Sequence, residues 1–105
     1  MSQTVTIKSK LDGSIIATSD HSAHIEGNYY FDKSEVNFDL LTKKDDMYTC
    51  PIKRATCNYY YLASDLNREI GWCYEKIASS LFENIAGKVG FYARENNLTK
   101  VIVQN

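Results

Sequence analysis

The sequence predicts a mainly β fold, a small antiparallel domain with one short helix, in a single unit covering residues 1–105. A chain of 105 residues suits one compact domain with its own core. Apolar and polar residues alternate with period two in several segments, as in strands that bury one face. Turn signals between neighbouring segments favour antiparallel pairing, so we expect a small barrel or a sandwich.

Eight segments show this alternation or an enrichment in β-branched and aromatic residues. They cover residues 4–8, 14–19, 29–31, 47–50, 55–62, 69–75, 89–93 and 101–103. Asp12-Gly13 predicts a hairpin between the first two because both residue types tolerate positive φ. Gly27-Asn28 predicts a turn before the third, and Pro51 ends the fourth because proline cannot donate to a ladder. Residues 20–24, with two histidines, and the polar residues 33–46 are predicted to be surface connections.

The fifth and sixth segments predict a hairpin with two distinct faces. Period-two alternation places one residue set on each side of a strand. In the fifth segment, one face carries Cys57, Tyr59 and Tyr61 and the other Thr56, Asn58, Tyr60 and Leu62. In the sixth, one face carries Ile70, Trp72 and Tyr74 and the other Glu69, Gly71, Cys73 and Glu75.

Residues 76–86 predict the short helix. Their apolar members recur with helical spacing and form one stripe, which comprises Ile77, Ala78, Leu81, Phe82, Ile85 and Ala86. Gly87 follows at the position of a left-handed C-terminal cap.

Charge and cysteine content restrict the compartment and the partners. The net charge is −1, so we expect no nucleic acid partner, which would need a cationic surface. No segment has the apolar length of a membrane span, and the N-terminus lacks the features of a secretory signal. Three cysteines, an odd number, fit a reducing compartment, so we expect a cytoplasmic protein.

The segment Thr49-Cys50-Pro51-Ile52-Lys53 is the strongest candidate for a site. It places a thiol, a proline bend and a cation at the start of an aromatic strand. A cation beside aromatic rings can orient an anionic small molecule, and Lys53-Arg54 could serve in this way. Solvated cations in a turn are the alternative.

Two other chemistries need consideration, a cysteine nucleophile and a metal site. Cys50 could act as a nucleophile if a neighbour such as Lys53 lowered its pKa, although a structural cysteine packed under the loop explains the residue better. The cysteines show no C-x-x-C spacing and both histidines are distant from them in sequence, so we expect no metal and no cofactor. Glu26 and Glu75 are the carboxylates nearest the aromatic segments, and exposed ion pairing is their default role.

The chain resembles a known family through motifs between about residues 14 and 92. These are Glu26-Gly27-Asn28-Tyr29-Tyr30-Phe31, Glu35-Val36, Leu40-Leu41, Thr49-Cys50-Pro51-Ile52-Lys53, Ala55, Tyr59-Tyr60, Trp72-Cys73-Tyr74 and Ile85-Ala86-Gly87-Lys88-Val89-Gly90-Phe91-Tyr92. The order is similar to domain-of-unknown-function family 427, sometimes labelled a nucleotidyltransferase. The Cys-Pro-x-Lys stretch and the Trp-x-Tyr strand are its most specific elements.

The resemblance implies a mainly β domain like the Mss4 group, without an obligatory zinc and without an established reaction. No paired aspartates follow a Gly-Ser turn to hold magnesium and a triphosphate. The family usually has glycine after the lysine, where this chain has Arg54, and commonly proline at Asp32. Carried over by position, the motif residues are Tyr30, Cys50, Lys53, Trp72 and Tyr74, with Glu26 in addition.

We therefore expect a domain that binds a small anionic or aromatic ligand in an aromatic-lined cleft near the Cys-Pro-x-Lys loop. Lys53 would orient the ligand, Cys50 would lie at the rim, and Tyr30, Trp72 and Tyr74 would line the cleft. A small enzyme that uses Cys50 and Lys53 is one alternative. A protein-interaction module with exposed tyrosines is another, and an edge strand could support a homodimer.

Overall fold

A computed structural model describes residues 3–105 as nine antiparallel strands in two sheets. The strands are β1 Thr4–Ser9, β2 Ile15–Ser19, β3 Ala23–Ile25, β4 Asn28–Phe31, β5 Leu41–Cys50, β6 Ala55–Leu62, β7 Asp65–Cys73, β8 Val89–Tyr92 and β9 Thr99–Gln104. Short 3-10 turns lie at Lys33–Glu35, Phe38–Leu40 and Glu83–Ile85. The mainly β prediction is confirmed.

The smaller sheet has three strands in the order β2-β1-β9. The central strand β1 buries Val5 and Ile7 and leaves the residues between them partly exposed, as its period-two pattern predicts. Strand β9 runs antiparallel to it with Val5 opposite Val103. The N-terminal and C-terminal segments of the chain are therefore joined in one sheet.

The larger sheet has six strands in the order β3-β4-β8-β7-β6-β5, and β3 and β5 are its edges. One of its faces packs against the smaller sheet. The shared core consists of Val5, Ile7, Ile16, Ala17, Phe31, Val36, Tyr60, Leu62, Ile70, Cys73, Val89, Phe91 and Leu98. This is the sandwich arrangement that follows when two sheets each have one apolar face to bury.

The opposite face of the larger sheet carries a second apolar cluster. Its buried members are Tyr30, Cys50, Ala55, Cys57, Trp72, Tyr74 and Ile85. The segment between β7 and β8 covers part of this face with Ile77, Phe82 and Ile85. Backbone bonds from Ser79 N to Lys53 O, 3.2 Å, and from Gly87 N to Tyr74 O, 2.8 Å, fix the segment there. The rest of the face is left uncovered.

The predicted helix over residues 76–86 is wrong. Only Glu83–Ile85 forms a 3-10 turn, and the described residues contain no α-helix. Ile85 is buried on the sheet, whereas Leu81, from the same predicted stripe, is exposed. A helix of about eleven residues is marginal without tertiary packing. Here Ile77, Phe82 and Ile85 pack on the sheet from a segment that is not helical over most of its length.

The assignment of Ile70 to the face of Trp72 is also wrong. Tyr60 pairs with Gly71 and Tyr61 with Glu69, so β7 has one extra residue at Ile70. This β-bulge turns Ile70 into the shared core while Trp72 stays on the opposite face. A bulge arises from pairing with the neighbouring strand, so alternation within β7 alone does not reveal it.

Several boundaries differ from the sequence prediction, among them the start of β7, which lies at Asp65 instead of Glu69. Strand β5 begins at Leu41, inside the predicted irregular region, and β3 forms within and after the predicted polar connection. Both are edge strands, which hold polar side chains because backbone pairing alone places them in the sheet. The turn between β3 and β4 has Glu26 and Gly27 at positive φ, 54° and 76°, instead of Gly27 and Asn28.

Among residues 3–105, no helix has the length and apolar character that a membrane crossing requires.

Candidate functional site

The predicted Cys-Pro-x-Lys loop connects β5 to β6 and directs Lys53 inward. The side chain of Lys53 is only 8 % exposed, and its ammonium forms an ion pair with Glu26. The ammonium also lies 4.8 Å from the ring centroid of Phe82 and 5.6 Å from that of Tyr74. Burial is the largest single influence on the pKa of Lys53 and lowers it. The hydrogen bond that Lys53 donates to Glu26 and the electrostatic attraction of Glu26, Tyr30 and Cys50 together outweigh burial, so the net direction is upward.

Glu26, the acidic member of this ion pair, has a left-handed backbone conformation. Glu26 has φ of 54° in the two-residue turn between β3 and β4, a conformation that favours glycine. Its side chain is 43 % exposed. The pair therefore ties the β3–β4 turn to the β5–β6 loop across the second face of the larger sheet.

Arg54 has the same left-handed backbone, with φ also 54°. This is the position at which the resembled family usually has glycine. The loop geometry requires a positive φ there, which glycine adopts without steric penalty and arginine does not. Arg54 is itself exposed.

Tyr30 and Trp72 form a polar contact inside the second cluster. The indole Nε1–H of Trp72 donates to the hydroxyl of Tyr30 at 3.1 Å, and the rings meet edge to face with centroids 6.3 Å apart. Gly90 makes this contact possible, because a Cβ at that position would lie 2.6 Å from Tyr30 Cε2 and 2.7 Å from Trp72 Nε1. Burial raises the pKa of Tyr30.

The three cysteines are all free and buried. Burial raises the pKa of Cys57 and raises that of Cys73 to about 11, so both favour the neutral thiol. Cys50 accepts a bond from the backbone N–H of Lys53, with Sγ 3.5 Å from the nitrogen.

An open concavity lies on the uncovered part of the second face, and we call it the aromatic hollow. Its volume is about 160 Å³, and it is lined by Tyr48, Cys57, Tyr59, Trp72, Tyr74 and Tyr92. The lining comes from β5, β6, β7 and β8 and from the residue just after β7. Tyr92 meets Trp72 nearly edge to face, with ring centroids 4.9 Å apart. The result is a shallow site with rings on several sides.

Two hydroxyls at the hollow are fixed as proton donors. Burial and a hydrogen bond to Glu69, with Tyr92 Oη 3.0 Å from Glu69 Oε1, raise the pKa of Tyr92 to about 12. Burial raises the pKa of Tyr74 as well. These phenols therefore stay neutral at physiological pH and can contact a ligand through their ring faces, while the Tyr92 O–H is already donated to Glu69.

The six predicted site residues lie together, but they divide between the hollow and the packing beside it. Trp72 and Tyr74 line the hollow. Tyr30 and Cys50 are buried in the second cluster next to it. Lys53 does not line the hollow. Its ammonium lies 5.6 Å from the Tyr74 ring centroid, and its charge is already paired to Glu26.

Sequence reasoning did not select four residues of the hollow, Tyr48, Cys57, Tyr59 and Tyr92. Part of the signal was present, because Cys57 and Tyr59 share one face of the predicted strand 55–62. Their position opposite Trp72 follows from the pairing of Tyr59 with Trp72 across β6 and β7. The sequence predicts the hairpin of these two strands but not its register, which the bulge at Ile70 shifts.

One group among residues 3–105 offers metal-ligand atoms close together, namely His21, Asp32 and Glu35, with those atoms within 4.8 Å of one another. Each is already engaged. His21 Nε2 lies 3.0 Å from Asp32 Oδ2 and 3.3 Å from Glu35 Oε2, and Asp32 also contacts Lys88 at 3.2 Å. An exposed ion-pair network accounts for this geometry.

The family relationship of the chain is clear from its sequence as a whole. No curated protein matches it. The model of one family, described as a domain of unknown function (DUF427), matches residues 1–103. Because this match covers nearly the entire chain, the protein belongs to the DUF427 family.

Proposed function

We propose that this protein binds a small, planar aromatic molecule in the aromatic hollow. The observation that carries the proposal is the convergence of five rings, from four strands and the segment after β7, on one open concavity. Rings of this kind stack on a planar ligand, and tyrosine and tryptophan contribute polar tips as well. The volume of about 160 Å³ suits a fragment of one or two fused rings.

The size of the hollow sets the expected affinity. A bicyclic probe such as 1-naphthol has about eleven non-hydrogen atoms, and at roughly 0.4 kcal/mol each this gives about 4 kcal/mol, a Kd near 1 mM. Polar groups on a natural ligand would add to this value. The proposal therefore concerns a fragment-sized aromatic group as the recognised element.

The test uses Trp72, the single tryptophan of the chain, as an internal reporter. Its indole N–H gives one resonance in a nitrogen–proton NMR spectrum, and we expect 1-naphthol to shift it in a saturable manner. Tyr48→Ala removes a ring from the hollow and should weaken binding about five- to tenfold, by the usual value of an aromatic contact. Saturation that Tyr48→Ala leaves unchanged would contradict the proposal.

Met47→Ala is the matched control. Met47 is the preceding residue of β5 and is 65 % exposed, against 47 % for Tyr48, but it does not line the hollow. Adjacent residues of a strand point to opposite faces, so this variant should bind 1-naphthol as the unmodified protein does. Equal losses in both variants would indicate a general disturbance of the edge strand.

A second candidate function is association through β5. This strand is one edge of the larger sheet, and Met47 and Tyr48 on it, together with Ile52 just beyond it, are exposed apolar side chains. An unpaired edge can add a strand from a second copy or from another protein. Light scattering after size exclusion tests this, since a dimer that Met47→Lys dissociates would support it and a monomer at every concentration would oppose it.

A reducing, cytoplasmic location is part of the same proposal. It is supported by three cysteines that are all free and buried. The finer likeness to the Mss4 group stays a prediction from the family resemblance.

A further inference from the structure

A second concavity adjoins the aromatic hollow. Its volume is about 220 Å³, and its lining comes from the end of β8, the loop after it and β7: Arg68, Tyr92, Arg94, Glu95 and Asn96. Tyr92 lines both concavities, so the two meet at this residue. A ligand in the hollow would therefore lie next to the second concavity.

Two cations that line the second concavity, Arg68 and Arg94, are available to bind an anion. Among residues 3–105, neither Arg68 nor Arg94 has a carboxylate oxygen within 4.0 Å, the limit for an ion pair. The nearby carboxylates are already engaged. Glu95 pairs with Lys10 at 2.7 Å, and Glu69 accepts the Tyr92 hydroxyl at 3.0 Å.

We propose that Arg68 and Arg94 bind an oxyanion group, a phosphate or a carboxylate, on the same ligand whose ring lies in the aromatic hollow. The inference rests on the proposed function for the position of the ring. A guanidinium presents parallel N–H donors that match two oxygens of a phosphate or a carboxylate, and two guanidinium groups can share one such group. The ligand class is therefore a planar aromatic acid or phosphate ester.

Lys53 offers a useful contrast. The sequence placed the anion-binding cation at Lys53-Arg54, but the ammonium of Lys53 is buried and neutralised by Glu26. An anion at Lys53 would have to displace that carboxylate. An anion at Arg68 and Arg94 displaces no protein carboxylate.

The experiment compares three probes that share one ring system, namely 1-naphthol, 1-naphthoate and 1-naphthyl phosphate, in low-salt buffer. The Trp72 indole resonance reports occupancy of the hollow for each. We expect both anions to bind more tightly than 1-naphthol, and 1-naphthyl phosphate about tenfold more tightly, because two charge-assisted contacts are added. A larger gain for the phosphate or for the carboxylate identifies which oxyanion the site prefers.

The double variant Arg68→Gln with Arg94→Gln should bring the anionic probes to the affinity of 1-naphthol and leave 1-naphthol itself unchanged. Arg54→Gln is the matched control, because it removes the same charge from the remaining arginine, outside both concavities. It should change none of the three affinities. Raising the salt concentration should reduce the advantage of the anions in the unmodified protein.

The outcomes separate this inference from the proposed function. If 1-naphthol binds in a Tyr48-dependent way but the anions bind no more tightly, the arginine site is refuted and the aromatic hollow stands. An anion advantage that is lost in Arg54→Gln and kept in the double variant also refutes it, in favour of the Lys53-Arg54 loop. If no probe shifts Trp72, both proposals fail.

Discussion

Removing Glu26 should destabilise the protein far more than removing its partner Lys53. The side chain of Lys53 is 8 % exposed and that of Glu26 is 43 % exposed, so the charged group left unpaired is buried in one variant and accessible to water in the other. Glu26→Ala leaves a buried cation without a counter-charge. Lys53→Met leaves a carboxylate that water can reach, and keeps an apolar stem against Phe82 and Tyr74.

The magnitudes follow from burial. Breaking a fully buried pair by removing one partner costs about 3–5 kcal/mol, and the exposure of Glu26 reduces this to roughly 1–2 kcal/mol. For a domain of this size that is a fall in Tm of about 5–10 °C. Lys53→Met should stay within about 0.5 kcal/mol, because the carboxylate that it leaves unpaired is reached by water and the methionine keeps the apolar contacts of the lysine stem.

Thermal unfolding followed by circular dichroism measures both variants, and the chain has a matched control. Lys33 and Glu75 form an ion pair at 2.6 Å whose side chains are 46 % and 54 % exposed. Glu75→Ala should lower the free energy of unfolding by less than about 0.5 kcal/mol. If Glu26→Ala is as mild as Glu75→Ala, or if Lys53→Met is as damaging as Glu26→Ala, the argument from burial is refuted.

The same pair predicts a pH dependence. Because the pKa of Lys53 in the fold is raised above its ordinary 10.5, its contribution is complete below that pH and is lost as pH rises through the folded value. In Glu26→Ala, burial becomes the dominant influence and lowers the pKa of Lys53, so stability should increase with pH as the ammonium loses its proton. The difference in Tm between the two proteins should therefore narrow between pH 7 and pH 10.5. A constant difference would contradict this assignment.

Three further predictions concern single positions. Gly90→Ala should lower the free energy of unfolding in denaturant by about 1–3 kcal/mol, because the added Cβ would lie 2.6 Å from Tyr30. It should also shift the Trp72 indole resonance, and an unchanged resonance would contradict the contact. Arg54→Gly should raise the free energy of unfolding, measured in urea, by up to about 1 kcal/mol, since φ of 54° strains arginine; a clear fall in this free energy would oppose the argument. Cys73 should resist alkylation at pH 8 in the folded state, given its pKa of about 11, and react on unfolding. Peptide mass spectrometry measures the labelling, and rapid labelling of Cys73 in the folded protein would refute the prediction.

The alternation of apolar and polar residues along single strands predicted much of the fold. The period-two patterns of β1, β6 and β8 were sufficient to predict each strand, although only β1 buries a single face; β6 and β8 lie in the larger sheet, which has an apolar cluster on each side. The edge strands β3 and β5 were missed or shortened, since their polar side chains have no burial pattern to display. The segment over residues 76–86 shows the opposite error, because its apolar residues fit a helical stripe, yet Ile77, Phe82 and Ile85 pack on the sheet without a helix and Leu81 is exposed.

The candidate site shows the same division. The motif residues Tyr30, Trp72 and Tyr74 do lie on one face of the larger sheet, and their strand parity was already present in the sequence. The sequence did not indicate that Lys53 turns inward to Glu26, because the two are brought together by separate loops. Nor did it indicate that Tyr48 and Tyr92 complete the hollow, since their strands are separated from each other by β6 and β7.

By itself, then, the sequence determined the mainly β class, most of the strand positions and the family, because these depend on local alternation and on motif order. Only the tertiary structure decided which rings surround an open concavity, which cation is neutralised and which arginines remain unpaired. Those properties depend on strand order, on the bulge at Ile70 and on loop geometry. Contacts between residues distant in the chain are set by the whole fold, and a local pattern does not encode them.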